Sequence, residues 1–195
     1  MIKKIIGISI IVVLIGIVIF NVIEKYISEP SRQAEEDTLT AQEGTTLVPP
    51  QIDGLAVGDE VAPFTLETMD GNYLNIADLK GKKIILNFWA SWCGPCKAEM
   101  PDMQKFYENH KDEVEIIAIN MTGKETNFSD AEEFVEAYEL TFPILLDHDL
   151  ELSDKYGIMA IPTTYFIGTD MTYQLPPKLG PMTYDEMIEK MEDIN

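Results

Sequence analysis

Cys93 and Cys96 are the two cysteines of this 195-residue chain, with only Gly94 and Pro95 between them in "NFWASWCGPCKAEMP", residues 87–101. Two thiols at this spacing suit a static disulfide, half of a metal site, or a couple that is oxidised and reduced in turn. A static bond here would close a loop of four residues, and the stabilisation a disulfide gives grows with loop length, so this one would constrain the unfolded chain little. A zinc site needs four ligands, and the only histidines, His110 and His148, stand at spacings that match no zinc pattern. The redox couple is the reading that the residues favour.

The flanking sequence says how such a couple would be held. "KIILNFWA" is an apolar run of strand length, and "PCKAEMPDMQKFYENH" has helical spacing through Met100, Met103 and Phe106-Tyr107. Cys93 therefore falls where a buried strand gives way to a helix. The unpaired N–H groups and positive dipole end of a first helical turn favour a thiolate over a thiol there. Cys96, one turn on, is placed to close a disulfide from a deeper position, and Pro95 suits the first turn, where its missing N–H costs nothing. The pair reads as an exposed attacking sulfur and a protected resolving one. Glu99, three residues past Cys96, projects from the same helical face; the bland alternative is a solvated surface glutamate. Of the two tryptophans, Trp92 is placed to shield the disulfide and offer an apolar contact, and Trp89 reads as core.

The elements around this segment alternate. "FTLETMDGNYLNI" alternates on both sides of Asp70-Gly71, which suits a hairpin turn because glycine tolerates positive φ. "VEIIAINM", "FPILLD" and "TTYFIG" read as further strands. "SDAEEFVEAYEL" predicts a helix capped by Ser129 with Glu132 three residues on, presenting Phe134, Val135 and Tyr138 on one face. "TYDEMIEKMEDI" predicts a closing helix capped by Thr183. In "GTDMTYQLPPKLGP", Pro176 and Pro177 restrict the last strand to an edge or break it. The fold class is α/β, a central sheet with helices on both faces and an N-terminal β-hairpin.

Upstream, Ile5 to Ile23 carries no charge and would span about 28 Å as a helix, close to the hydrocarbon thickness of a bilayer. Its exit through "FNVIEKYISEP" offers neither a small-residue cleavage site nor a lipidation cysteine. The expected organisation is a cytoplasmic stub at 1–4, a transmembrane anchor at 5–23, a polar tether at 24–54 and a folded domain at 55–195. Lys3 and Lys4 precede the span and acids predominate after it, which orients the domain outward, into a compartment where disulfides persist. With 14 basic and 34 acidic side chains the formal net charge is −20. So acidic a surface argues against nucleic-acid binding and against docking on anionic headgroups.

"FWASWCGPCK" resembles the active-site segment of the thioredoxin superfamily. "GDEVAPFTLETMDGNYLNIADLKGKKIILNFWASWCGPCKAEMP", "FPILLDHDLELSDKYGIMAIPTTYFI" and "LGPMTYDEMI" together resemble the membrane-anchored TlpA/ResA-like thiol-disulfide oxidoreductases over nearly all of residues 55 to 193. The resemblance implies a thioredoxin-like fold with an inserted helix, here in "TGKETNFSDAEEFVEAYEL". It implies that Cys93 is the nucleophile, that Cys96 resolves the mixed disulfide, and that the Cys93-Cys96 pair is the redox disulfide. It further implies that Ile161-Pro162 is a cis bond whose backbone, with Trp92, receives the substrate strand, and that Glu99 handles the thiols' protons. Asn87 departs from cytoplasmic thioredoxins, which bury an aspartate just before "FW"; Asn87 cannot titrate, which leaves Glu99 as the nearest proton carrier by spacing.

No cofactor or metal is implied. The Gly-Pro pair resembles that of reducing members, so the expected activity is reduction of disulfides in exported proteins, such as the haem-binding thiols of apocytochrome c. Electrons would come from an integral-membrane thiol carrier. The alternatives are a disulfide oxidase or isomerase and a non-catalytic binding module. A peroxidase fits less well, because the thiols form a C-x-x-C pair.

Overall fold

Strand alternation divides the apolar residues of positions 55–195 between two cores, one on each face of a single sheet. The computed structural model describes residues 55–195; the proposed stub, anchor and tether lie outside the described residues. In chain order the elements are β1 (Thr65–Thr68), β2 (Tyr73–Asn75), β3 (Lys83–Trp89), α1 (Gly94–His110), β4 (Val114–Asn120), α2 (Phe128–Ala137), β5 (Ile144–Leu146), α3 (Glu151–Lys155), β6 (Thr163–Ile167), β7 (Tyr173–Leu179) and α4 (Tyr184–Glu192). Short 3-10 turns occupy Ile76–Leu79 and Thr122–Lys124. Among the described residues no helix is long and apolar enough to cross a membrane.

The strands form one mixed sheet in the order β2-β1-β5-β4-β3-β6-β7. At its centre β3 runs parallel to β4, with Asn87 opposite Ala118, and antiparallel to β6, with Asn87 opposite Thr164. Ile85 and Trp89 of β3 face α1, α2 and α4, where they pack with Met100, Met103, Phe106, Phe134 and Met187. Ile84, Leu86 and Phe88 face the other way, onto Ile76, Leu152 and Tyr156. All of the β3 side chains named are at 0% exposure, and full burial of each such apolar group contributes about 1.5–3 kcal/mol. Because β3 is covered on both faces, it reads as a continuous apolar run and not as an alternation.

β1 and β2 pair antiparallel, joined through Asp70 and Gly71, whose φ of 82° is one that glycine adopts without a side-chain clash. β1 also pairs antiparallel with β5, which attaches this N-terminal pair to the sheet. Thr183 caps α4 through a reciprocal bond with Glu186, as the sequence predicts.

One expectation needs correction. Helix α2 starts at Phe128, and the cap position belongs to Asn127, not Ser129. The first turn closes on the Asn127 carbonyl, which accepts the Asp130 N–H at 3.1 Å, so Ser129 already lies inside it. Pro176 and Pro177 restrict β7 to an edge without breaking it, the first of the two outcomes that the sequence offers. The strand runs through both, at the outer edge of the sheet, and its pairing with β6 is irregular between Thr164 and Phe166. An edge strand faces a partner on one side only, so prolines without N–H groups are tolerated.

Candidate active site

β3 ends at Trp89, and Ala90, Ser91 and Trp92 lead directly to Cys93, the N-cap of α1. The cap is made by sulfur: the Cys96 N–H donates to Cys93 Sγ at 3.1 Å. No acidic side chain sits in the first turn of α1, so nothing offsets the positive end of its dipole beside that sulfur. Cys93 and Cys96 are joined in a disulfide, their Cα atoms 5.3 Å apart. Cys96 is at 0% exposure and Cys93 at only 4%. Cys93 is thus less open than its position at the helix start suggested, and the reason is the packing of the next loop: Sγ lies 3.7 Å from the Ile161 carbonyl. The Ile161-Pro162 peptide is cis. Pro162 in turn accepts the Gly180 N–H at 2.9 Å, which ties this loop to the end of β7.

Trp92 stands beside the sulfurs at 54% exposure, its Nε1 donating to the Lys124 carbonyl at 3.0 Å. Trp89 is core, fully buried with its ring centroid 4.7 Å from that of Phe134.

Glu99 is at 1% exposure, which excludes the solvated surface role. Its carboxyl lies on the inner side of α1, where Oε1 accepts from Asn87 Nδ2 at 2.9 Å and Oε2 accepts from the Met182 N–H at 3.0 Å. Asn87 Nδ2 also donates to Thr164 Oγ1 at 3.0 Å, while Asn87 Oδ1 has no partner among the described residues. Burial pushes the Glu99 pKa up to about 7; the bonds from Met182 and Asn87 and the charge of Lys178 oppose that rise without cancelling it. The result is a buried carboxyl, one helical turn beyond Cys96, that changes protonation near neutrality. Thr164, Met182 and the loop residue Lys124 carried no signal in the sequence, because each reaches the site from far along the chain.

A disulfide at a helix N-terminus, beside a cis proline and above a central mixed sheet, defines a thiol-disulfide oxidoreductase of thioredoxin-like fold. Residues 57–174 match the family described as the AhpC/TSA family. Thiol-disulfide oxidoreductase ResA of Oceanobacillus iheyensis is 45% identical over 143 residues, 71% of this chain and 72% of that one. Sporulation thiol-disulfide oxidoreductase A of Bacillus subtilis is 38% identical over 146 residues, 72% of this chain and 87% of that one. The crystal structure of StoA from Bacillus subtilis aligns with a TM-score of 0.60 at 40% identity, covering 67% of this chain and 96% of the other. The chain belongs to the AhpC/TSA family and, within the thioredoxin superfamily, is a thiol-disulfide oxidoreductase of the ResA/StoA type.

Proposed function

We propose that this enzyme reduces disulfides in exported proteins, with the haem-binding thiols of apocytochrome c as its client class. Residues 5–23 would anchor it and residues 24–54 would tether the domain, N-terminus inside, on the outer face of the cell membrane. The observation that carries the reading is the Cys93-Cys96 disulfide at the start of α1 with the buried Glu99 one turn below it.

In the reduced enzyme the Cys93 thiolate attacks one sulfur of the client disulfide. A Cys93-client disulfide forms, the client S–S bond breaks, and the first client thiolate leaves and takes up a proton. Cys96 then loses its proton, for which the Glu99 carboxylate is the acceptor, and attacks Cys93 Sγ. The Cys93-Cys96 bond forms as the second client thiolate leaves and is protonated. Two electrons pass to the client, and an integral-membrane thiol carrier of dithiol type restores the enzyme by the reverse exchange. Trp92 and the backbone at Ile161-Pro162 are the proposed contacts for the client strand. The mechanism uses no cofactor and no metal.

The sporulation named for the Bacillus subtilis relative marks a second client set for the same chemistry. Trapping distinguishes them: with Cys96→Ala in living cells, the proteins left disulfide-bonded to Cys93 are identified by mass spectrometry. Apocytochrome c among the adducts is the expected result. Adducts confined to other exported proteins would replace the client class, and absence of any adduct would remove the exchange mechanism. A measured reduction potential near that of the strong oxidant DsbA, about −120 mV, would make the enzyme an oxidase instead.

A further inference from the structure

The three residues between β3 and Cys93 have no strand ladder to hold them, yet they set where the N-terminal sulfur stands. Their partners come from the turn after β4. The Ser91 N–H donates to Glu125 Oε1 at 2.7 Å and Ser91 Oγ donates to Glu125 Oε2 at 2.6 Å, so one carboxylate takes both donors of a single residue. Asn120 Nδ2 donates to the same Oε1 at 2.8 Å, fixing the carboxylate from the end of β4. One residue earlier in the turn, the Lys124 carbonyl holds the Trp92 indole. The turn itself is anchored on its other side: the Gly123 N–H donates to the Asp147 carbonyl at 3.2 Å, and a Cβ at Gly123 would lie 2.5 Å from the His148 carbonyl oxygen. Loop and glycine are thus pressed between the residues after β5 and the segment leading to Cys93.

We infer that Glu125 is a positioning residue for the redox centre: it braces Ser91 so that the Trp92-Cys93 step presents a fixed indole and a fixed sulfur to an incoming disulfide. Ser91 is only 7% exposed, so its N–H has little access to water and needs this acceptor. A charged acceptor taking two donors from one residue also restricts orientation, which a single neutral bond does not. Trp92, half-exposed, is held by the same turn through a backbone carbonyl, so loss of the brace frees the indole as well. The inference rests on the proposal that Cys93 is the attacking sulfur.

The test compares Glu125→Ala and Glu125→Gln in the full-length chain. Because Trp89 is fully buried, acrylamide quenching of tryptophan fluorescence reports Trp92. Glu125→Ala is expected to raise the quenching constant and to raise KM for a protein disulfide such as insulin by about tenfold, the factor of one lost interaction, with kcat changed far less. Glu125→Gln restores both, since its amide oxygen still accepts from Ser91 and Asn120 and its amide N–H donates to Ser91 Oγ. Unchanged quenching and KM in the alanine variant would overturn the inference. So would a glutamine variant as impaired as the alanine one with an equally lowered unfolding midpoint, which marks plain structural support. Retention of exchange by Cys93→Ser would instead remove the role given to Cys93, and the quenching comparison would still read the brace.

Discussion

The Met182 N–H donates to Glu99 Oε2 across 3.0 Å, so the helix that carries both cysteines is tied, from inside, to the chain entering the last helix. The two residues are 83 positions apart, and the bond they share lies in the protein interior. A carboxyl placed there is held by donors and at the same time deprived of water. Its protonation state is therefore coupled to the stability of the domain and, on the mechanism proposed above, to the chemistry of the thiols.

The first prediction concerns stability. Glu99 has its ordinary value of about 4.5 in the unfolded chain and about 7 when folded. For a carboxyl raised on folding, the unfolded state releases its proton first, so stability is complete below about 4.5 and is lost as pH rises toward 7. The loss at high pH is about 3 kcal/mol. Glu99→Gln removes it. Urea unfolding of both proteins should show the glutamine variant gaining about 2–3 kcal/mol on wild type between pH 5 and 8; a constant difference would contradict the assignment.

The second concerns rate. If Glu99 accepts the Cys96 proton, the rate of mixed-disulfide resolution has a limb with a midpoint near 7, falling on the acid side where Glu99 is already protonated. Stopped-flow measurement of resolution in Glu99→Gln should show that limb missing, with the plateau lowered about a hundredfold, the lower end of what a positioned base contributes. A limb that survives the substitution belongs to another group.

The third concerns the disulfide as a structural bond. Its loop of four residues removes little freedom from the unfolded chain, about 2 kcal/mol on the loop-entropy account. Reduction by dithiothreitol should therefore leave the domain folded, with its unfolding free energy lower by no more than about that amount. A domain that unfolded on reduction could not serve as a reductase.

The fourth concerns Gly123. Alanine there places a Cβ 2.5 Å from the His148 carbonyl oxygen, a backbone atom that cannot swing away. The turn must shift, at a cost of about 1–3 kcal/mol. Gly123→Ala should lower the denaturation midpoint and increase quenching of Trp92, because Lys124 and Glu125 move with the glycine.

What could be read from the sequence was what depends on neighbours in the chain. The apolar run of β3, the turn at Asp70-Gly71 and the Thr183 cap are local patterns, and the structure has each of them. Glu99 was legible as a residue on the cysteine face of a helix, but its burial depends on Met182 and Asn87, which spacing along the helix does not reveal. Ser129 reads as the cap of α2 although Asn127 holds that position, since a serine inside a first turn looks the same in sequence as one just before it. Glu125 was invisible: 34 residues separate it from Ser91, and no periodicity links a turn glutamate to a serine across a parallel strand pair. The near-complete shielding of Cys93 was equally hidden, because it is imposed by Ile161, 68 residues away.

The outer margin of β7 has a consequence beyond the strand itself. Near its start, residues 58–61 already occupy it: the Gly58 N–H donates to the Tyr173 carbonyl at 2.7 Å and the Tyr173 N–H to the Asp59 carbonyl at 3.0 Å. Farther along, Pro176 and Pro177 have no N–H to offer. At the opposite margin β2 is three residues long. Neither rim gives a passing extended polypeptide a ladder on which to polymerise. The domain is thereby kept from seeding the aggregation of other extended chains along either rim of its sheet.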